Sequence, residues 1–151
     1  MEPQRSTIVY VVKQLELALR PRFLAACAEA GMTGAQYTAL TVLERRPGIT
    51  SSELARRSFV RAQTMAATID PLLEAGLVRR EPDPEHGRRM LLFLTEAGAA
   101  AIETLDPQVA GVEELMLADF DADERAAFAD LLRRARVSLD ERGHRAPPAG
   151  Q

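Results

Sequence analysis

The 151-residue chain has no tryptophan, one cysteine and two histidines, and aromatic residues make up only 5% of it. One cysteine excludes an intrachain disulfide. The histidines and the cysteine lie far apart and give no metal-ligand spacing, so neither a metal nor any other cofactor is expected. There is no nucleophile elbow, phosphate-binding loop or His-based triad, and the chain is not expected to be an enzyme. No run approaches the roughly 20 apolar residues that span a bilayer. Met1 to Arg5 lead into a mixed helical pattern with no signal-peptide stretch, so the expected location is the cytoplasm, with no membrane partner. With so few aromatics, a core must be built from Leu, Ala, Val and Ile.

Charge is also scarce in net terms, at −3, which is unpromising for a nucleic-acid binder until its distribution is read. Between Arg45 and Arg89, nine arginines face six carboxylates, a net of +3. From Glu96 to Asp140, four arginines face eleven carboxylates, a net of −7. The middle of the chain is basic and its last third acidic.

Apolar periodicity and capping signals divide the chain into elements. Val11, Val12, Leu15, Leu19, Phe23 and Ala26 recur at helical spacing, predicting a helix over Ile8 to Ala28 that Gly31 stops and Pro21 kinks or splits. Thr33 and Gln36 have the spacing of a capping box and open a helix to about Glu44. Thr50 and Glu53 repeat the pattern before a short helix, Ser51 to Arg57. A helix from Ala62 to Ala75 ends at Gly76, a natural C-cap. Two strands, Leu77 to Arg80 and Arg89 to Leu94, flank the turn-forming run Pro82 to Gly87 and make a hairpin. Thr95 caps a helix to roughly Asp119, kinked at Pro107, and Asp121 with Glu124 caps a last helix to about Asp140. The tail, 142–151, is expected to be disordered.

Short helix, tight turn and second helix form a helix-turn-helix, and the adjacent hairpin makes it winged. The fold class expected is mainly α with a small β-hairpin wing. A recognition helix buries one face and offers the other to the major groove. In the helix from Ala62, Met65, Ile69, Leu72 and Leu73 gather on one side, while Gln63, Thr64, Ala67 and Asp70 lie opposite. Gln63 can hydrogen-bond a base edge, Thr64 can reach a base or phosphate, and the Ala67 methyl can meet a thymine methyl. Arg57, Arg61 and Thr68 complete the expected DNA-facing set on these helices. Thr50 and Ser51 offer hydroxyl and backbone N–H groups to a phosphate. At the wing, His86, Arg88 and Arg89 are placed to enter the minor groove, with Gly87 letting the tip turn.

Leu54 to Arg57, Gln63 to Met65, Leu73 to Arg80, Pro82 to Pro84, Gly87 to Arg89 and Leu94 to Gly98 together resemble the MarR (multiple antibiotic resistance regulator) family. The resemblance is strongest over Met32 to Gly98. It implies a single MarR-like domain over 1–151, with a winged helix-turn-helix at 33–95 and dimerisation helices at 8–30 and 96–140. It further implies a homodimeric regulator, usually a repressor, acting on a pseudo-palindromic operator in double-stranded DNA. Many members release DNA when a small lipophilic or phenolic effector binds between the two regions. Ala62, Ala67 and Pro71 stand where relatives often carry arginine or another polar residue, and Arg61 stands where they often carry a Ser or Asp cap.

Several residues have two readings. Pro21, Phe23, Tyr37 and Leu40 are candidates for an effector pocket, and core packing explains them equally. Cys27 reads as a redox sensor or as a small buried apolar residue, His86 as a DNA contact, a pH sensor or a solvated turn residue. The whole chain has a second reading too. The alanines and proline on the recognition helix suit a winged-helix module that has lost DNA contacts and mediates protein association.

Overall fold

In a computed structural model, which describes residues 7–143, the helices begin where side chains can satisfy free backbone N–H groups. Thr33 accepts from the Gln36 N–H and Gln36 reciprocates to the Thr33 N–H, a complete capping box for α2 (Gly34–Arg45). Thr50 accepts from the Glu53 N–H and opens α3 (Ser51–Arg57). The Glu53 carboxylate does not complete that box. It turns to the arginines at the end of its own helix. Helix α4 (Ala62–Glu74) starts at Arg61 with no side-chain cap, because an arginine offers no acceptor.

Helix α1 (Thr7–Glu29) precedes these, and β1 (Val78–Pro82), β2 (Met90–Leu94), α5 (Glu96–Met116) and α6 (Ala122–Gly143) follow. Helix α1 runs through Pro21 as one element, so the proline does not split it, and α5 likewise continues through Pro107. Helix α6 reaches Gly143, three residues past the expected end, so the first two residues of the expected tail are helical. The rest of that tail lies outside the described residues. No helix among the described residues is long and apolar enough to cross a membrane.

The chain divides into two compact units, one up to Glu113 and one from Glu114. In the first, Leu40 and Leu43 of α2, Leu54 and Ala55 of α3, and Met65, Ile69 and Leu72 of α4 are buried in one cluster with Val78, Leu92 and Ile102. Burying a Leu or Met side chain contributes about 1.5–3 kcal/mol, so these apolar faces are what hold α3 against α4. The hairpin pairs antiparallel in the register Val78 with Leu94 and Pro82 with Met90. A third segment joins it. Gly48 N–H donates to Leu92 C=O at 2.9 Å and Leu92 N–H to Ile49 C=O at 2.8 Å. That bridge fixes the start of α3 against the wing, and nothing in the sequence pattern announced it.

In the second unit, Asp121 and Glu124 form the expected reciprocal capping box at the start of α6. Arg125 reaches back to the Leu117 and Phe120 carbonyls at 3.0 and 3.1 Å, and pairs with Glu114 at 2.7 Å. Phe120 and Phe128 pack edge to face with centroids 5.5 Å apart.

Candidate nucleic-acid interface

The turn between α3 and α4 is tight. Ser58 N–H donates to Leu54 C=O at 2.9 Å and Val60 N–H to Ala55 C=O at 3.1 Å. Phe59 occupies the left-handed region, with φ of 57°. That conformation is costly for a bulky residue and usually taken by glycine, which is why the sequence did not mark it. It turns the chain so that α4 can lay Met65, Ile69 and Leu72 on the core.

The opposite face of α4 is exposed. Gln63, Thr64, Ala67 and Asp70 all lie on it, as the 3.6-residue period requires. Thr68 does not join them. It is buried, and its hydroxyl donates to the Thr64 carbonyl of its own helix at 2.7 Å. At i+3 from Met65 and four residues before Leu72, both buried, it falls on the inner side of the helix, and its hydroxyl is satisfied locally. Pro71 is exposed and α4 continues through it. The backbone acceptor that its missing N–H leaves free belongs to Ala67, also exposed, where water can serve it.

Helix α4 carries no lysine or arginine and two carboxylates, Asp70 and Glu74. Cations come from around it. Thr50, Ser51, Ser52 and Glu53 at the α3 start, Arg56 in its last turn, and Arg89 and Met90 of the wing line a groove of about 500 Å³. The structure therefore brings Thr50, Ser51 and Arg89 together. It adds Arg56, one helical turn from Ser52 on the same face of α3 and outside the DNA-facing set expected from sequence. Arg61 is exposed at the α4 start. Arg57 is only partly exposed, and Glu53 Oε1 accepts from its Nε at 3.1 Å.

At the wing tip His86, Gly87, Arg88 and Arg89 are exposed. The turn is shaped by an aspartate rather than by the glycine. Asp83 Oδ1 accepts from the Glu85 N–H at 2.9 Å, the Asp83 N–H donates to Arg89 C=O at 2.8 Å, and the Arg89 N–H donates to His86 C=O at 2.8 Å. Gly87 has no positive φ. At the wing's base the Arg79 guanidinium lies 4.5 Å from the centroid of the Phe93 ring and pairs with Glu81.

The effector-pocket candidates separate. Leu40 is fully buried in the core. Pro21 is exposed. Phe23 and Tyr37 pack edge to face, centroids 5.7 Å apart, and the Tyr37 hydroxyl donates to Asp106 Oδ1 at 3.3 Å. Burial first, and the Asp106 carboxylate second, push the Tyr37 phenol up from its ordinary value. Cys27 has no exposed surface, and burial pushes its thiol up. A buried thiol held neutral is a packing residue, not an activated nucleophile.

A short helix, a tight turn and a helix with an exposed polar stripe, beside a hairpin tipped with arginines, define a winged helix-turn-helix DNA-binding protein. Comparison with known proteins agrees. Residues 30–89 match the profile of the MarR family. The HTH-type transcriptional repressor Rv2887 of Mycobacterium tuberculosis is 30% identical over 123 residues, 82% of this chain and 88% of that protein. Its structure in complex with DNA has a TM-score of 0.72 at 27% identity, covering 86% of this chain and 98% of that one. A crystal structure of MarR has a TM-score of 0.79 at 30% identity, covering 95% and 99%. The transcriptional repressor CouR, bound to a 23-mer DNA duplex, has a TM-score of 0.73 at 26% identity, covering 90% and 99%. The chain belongs to the MarR family of DNA-binding transcriptional regulators.

Proposed function

We propose that this chain is a homodimeric repressor that binds a pseudo-palindromic operator through α3, α4 and the wing. In this reading Gln63, Thr64 and Ala67 meet base edges in the major groove. Thr50, Ser51, Arg56, Arg57 and Arg61 hold phosphates, and His86, Arg88 and Arg89 follow the adjacent minor groove. The observation that carries it is the groove shared by the α3 start and Arg89 of the wing. It supports the reading because Thr50, Ser51 and Arg56 of one element and Arg89 of another line it together.

Dimerisation is supported by apolar residues that a single chain leaves in solvent. Helix α1 exposes Ile8, Val9, Val11, Val12 and Leu17, and α6 exposes Leu131, Leu132, Val137 and Leu139. Exposed apolar stripes on long helices mark association surfaces. The apolar stripe of α1 divides. Its end, at Ala26 with neighbouring Cys27, is buried within the chain, and its first half is free for a partner copy.

Release by a small aromatic effector is part of the same proposal. Rv2887 has been solved in complex with salicylic acid, and here Phe23 and Tyr37 offer an aromatic edge pair beside the Asp106 carboxylate. Sedimentation of the protein with DNA from upstream of its own gene, followed by footprinting, tests the reading. The expected outcome is two chains per duplex and two protected half-sites about one helical turn apart. A single chain on an asymmetric footprint contradicts it.

A further inference from the structure

Glu53 lies among the groups assigned to phosphate and has the wrong sign for that company. Its Oε1 accepts from Arg57 Nε at 3.1 Å and lies 3.0 Å from Arg57 Nη2 and 3.3 Å from Arg56 Nη2. It also lines the groove that Thr50, Ser51 and Arg89 share. One carboxylate thus engages both arginines of α3. Because α4 supplies no cation, attraction to DNA in this reading rests on a small set of arginines in α3, at Arg61 and in the wing, and the Glu53 charge opposes it.

We propose that Glu53 is a built-in brake on DNA affinity. It is a positioning residue that holds Arg56 and Arg57 as an internal counter-ion and competes with a backbone phosphate for them. The inference rests on the DNA-facing surface proposed above. A phosphate entering the groove meets the Arg56 guanidinium already paired with Glu53 and must share it with the carboxylate, and Arg57, beside the groove, is held by the same oxygen. The cost does not depend on base sequence, since it lies in the phosphate contacts. It lowers the affinity for every duplex, so the protein leaves non-specific DNA more readily, and it makes binding less steeply dependent on salt than the arginine content alone would.

Glu53→Gln tests this, because the amide keeps the shape and a hydrogen bond to Arg57 while removing the charge. Fluorescence anisotropy is read on upstream DNA and on a scrambled duplex between 50 and 200 mM salt. Binding to both should tighten by a similar factor at low salt, and the slope of log K against log salt should steepen by about 0.9. The gain should then shrink roughly 3.5-fold across that salt range. Glu53→Asp, which keeps the charge, should retain the wild-type slope. Any result in which Glu53→Gln fails to steepen the slope overturns the proposal and leaves Glu53 as a brace within α3. Arg56→Ala and Arg89→Ala separate the two readings. If neither makes the slope shallower, the surface itself has been misassigned. If both do and Glu53→Gln does not steepen it, only the brake fails.

Discussion

The Thr95 hydroxyl donates to the carbonyl of Gly76 at 2.6 Å, tying the end of the wing to the end of the recognition helix. The same oxygen accepts from the Gly98 N–H at 3.1 Å, and the Thr95 N–H donates to Leu77 C=O at 3.1 Å. One residue therefore caps α5 and anchors the segment that leaves α4. The packing is so close that a Cβ on Gly98 would overlap the Leu77 carbonyl oxygen. That is backbone and cannot swing aside.

Gly98→Ala should therefore destabilise the protein by about 1–3 kcal/mol, the cost of forced overpacking, although alanine is the better helix former. Urea unfolding of the two proteins checks it. An unchanged midpoint would mean that α5 can shift without strain.

Thr68 and Gln63 sit five residues apart and should behave oppositely. Thr68→Ala removes a buried methyl and a satisfied hydroxyl, so it should cost about 1 kcal/mol in stability and leave operator preference unchanged. Gln63→Ala should leave the melting temperature unchanged. It should cost about 1–3 kcal/mol on the operator and much less on random DNA. Equal losses on both duplexes would argue against base reading by Gln63.

Most elements were legible because their signals are local. Thr33 with Gln36 and Asp121 with Glu124 form the boxes their spacing predicts, and Gly76 takes the positive φ of a helix end. What stayed hidden depends on partners distant in sequence or on a strained backbone. The pairing of Ile49 with Leu92 spans the whole helix-turn-helix. Phe59 adopts a conformation its type disfavours. Among site residues, the stripe of Gln63, Thr64 and Ala67 followed from helical period alone. Thr68 was misplaced because a threonine suits either face until its neighbours are known. Glu53 was read only as a cap, yet its i+3 and i+4 spacing to Arg56 and Arg57 was a signal that could have been used.

Cys27 and Tyr37 predict how stability depends on pH. Both are held above their ordinary values, chiefly by burial. Each is an acid whose proton leaves the unfolded chain first, so the unfolded state binds fewer protons as the solution turns alkaline. Stability should be level through neutrality, then fall as pH rises past about 8.5 for the thiol and about 10 for the phenol. Melting curves of wild type, Cys27→Ala and Tyr37→Phe between pH 7 and 10.5 check this. The decline should be shallower in each variant, and a wild-type profile in both would remove these groups as its cause.

The wing arginines should act on affinity and not on folding. Arg88 and Arg89 are exposed and none of the described ion pairs uses their side chains. Arg88→Ala and Arg89→Ala should each leave the unfolding free energy within about 0.5 kcal/mol of wild type. Each that contacts a phosphate should reduce the salt slope by about 1. Unchanged affinity at low salt in both would remove the wing from the interface.

The most direct test of sequence-selective DNA binding is a fluorescence anisotropy titration of the wild-type protein. It sets DNA from upstream of its own gene against a scrambled duplex, over a salt series. The account predicts salt-dependent binding to both, with the upstream duplex bound at least about a thousand-fold tighter, the lower end for specific sites. Equal affinity for the two duplexes, or no binding by folded dimer at low salt, would contradict it and favour a winged helix turned to protein association.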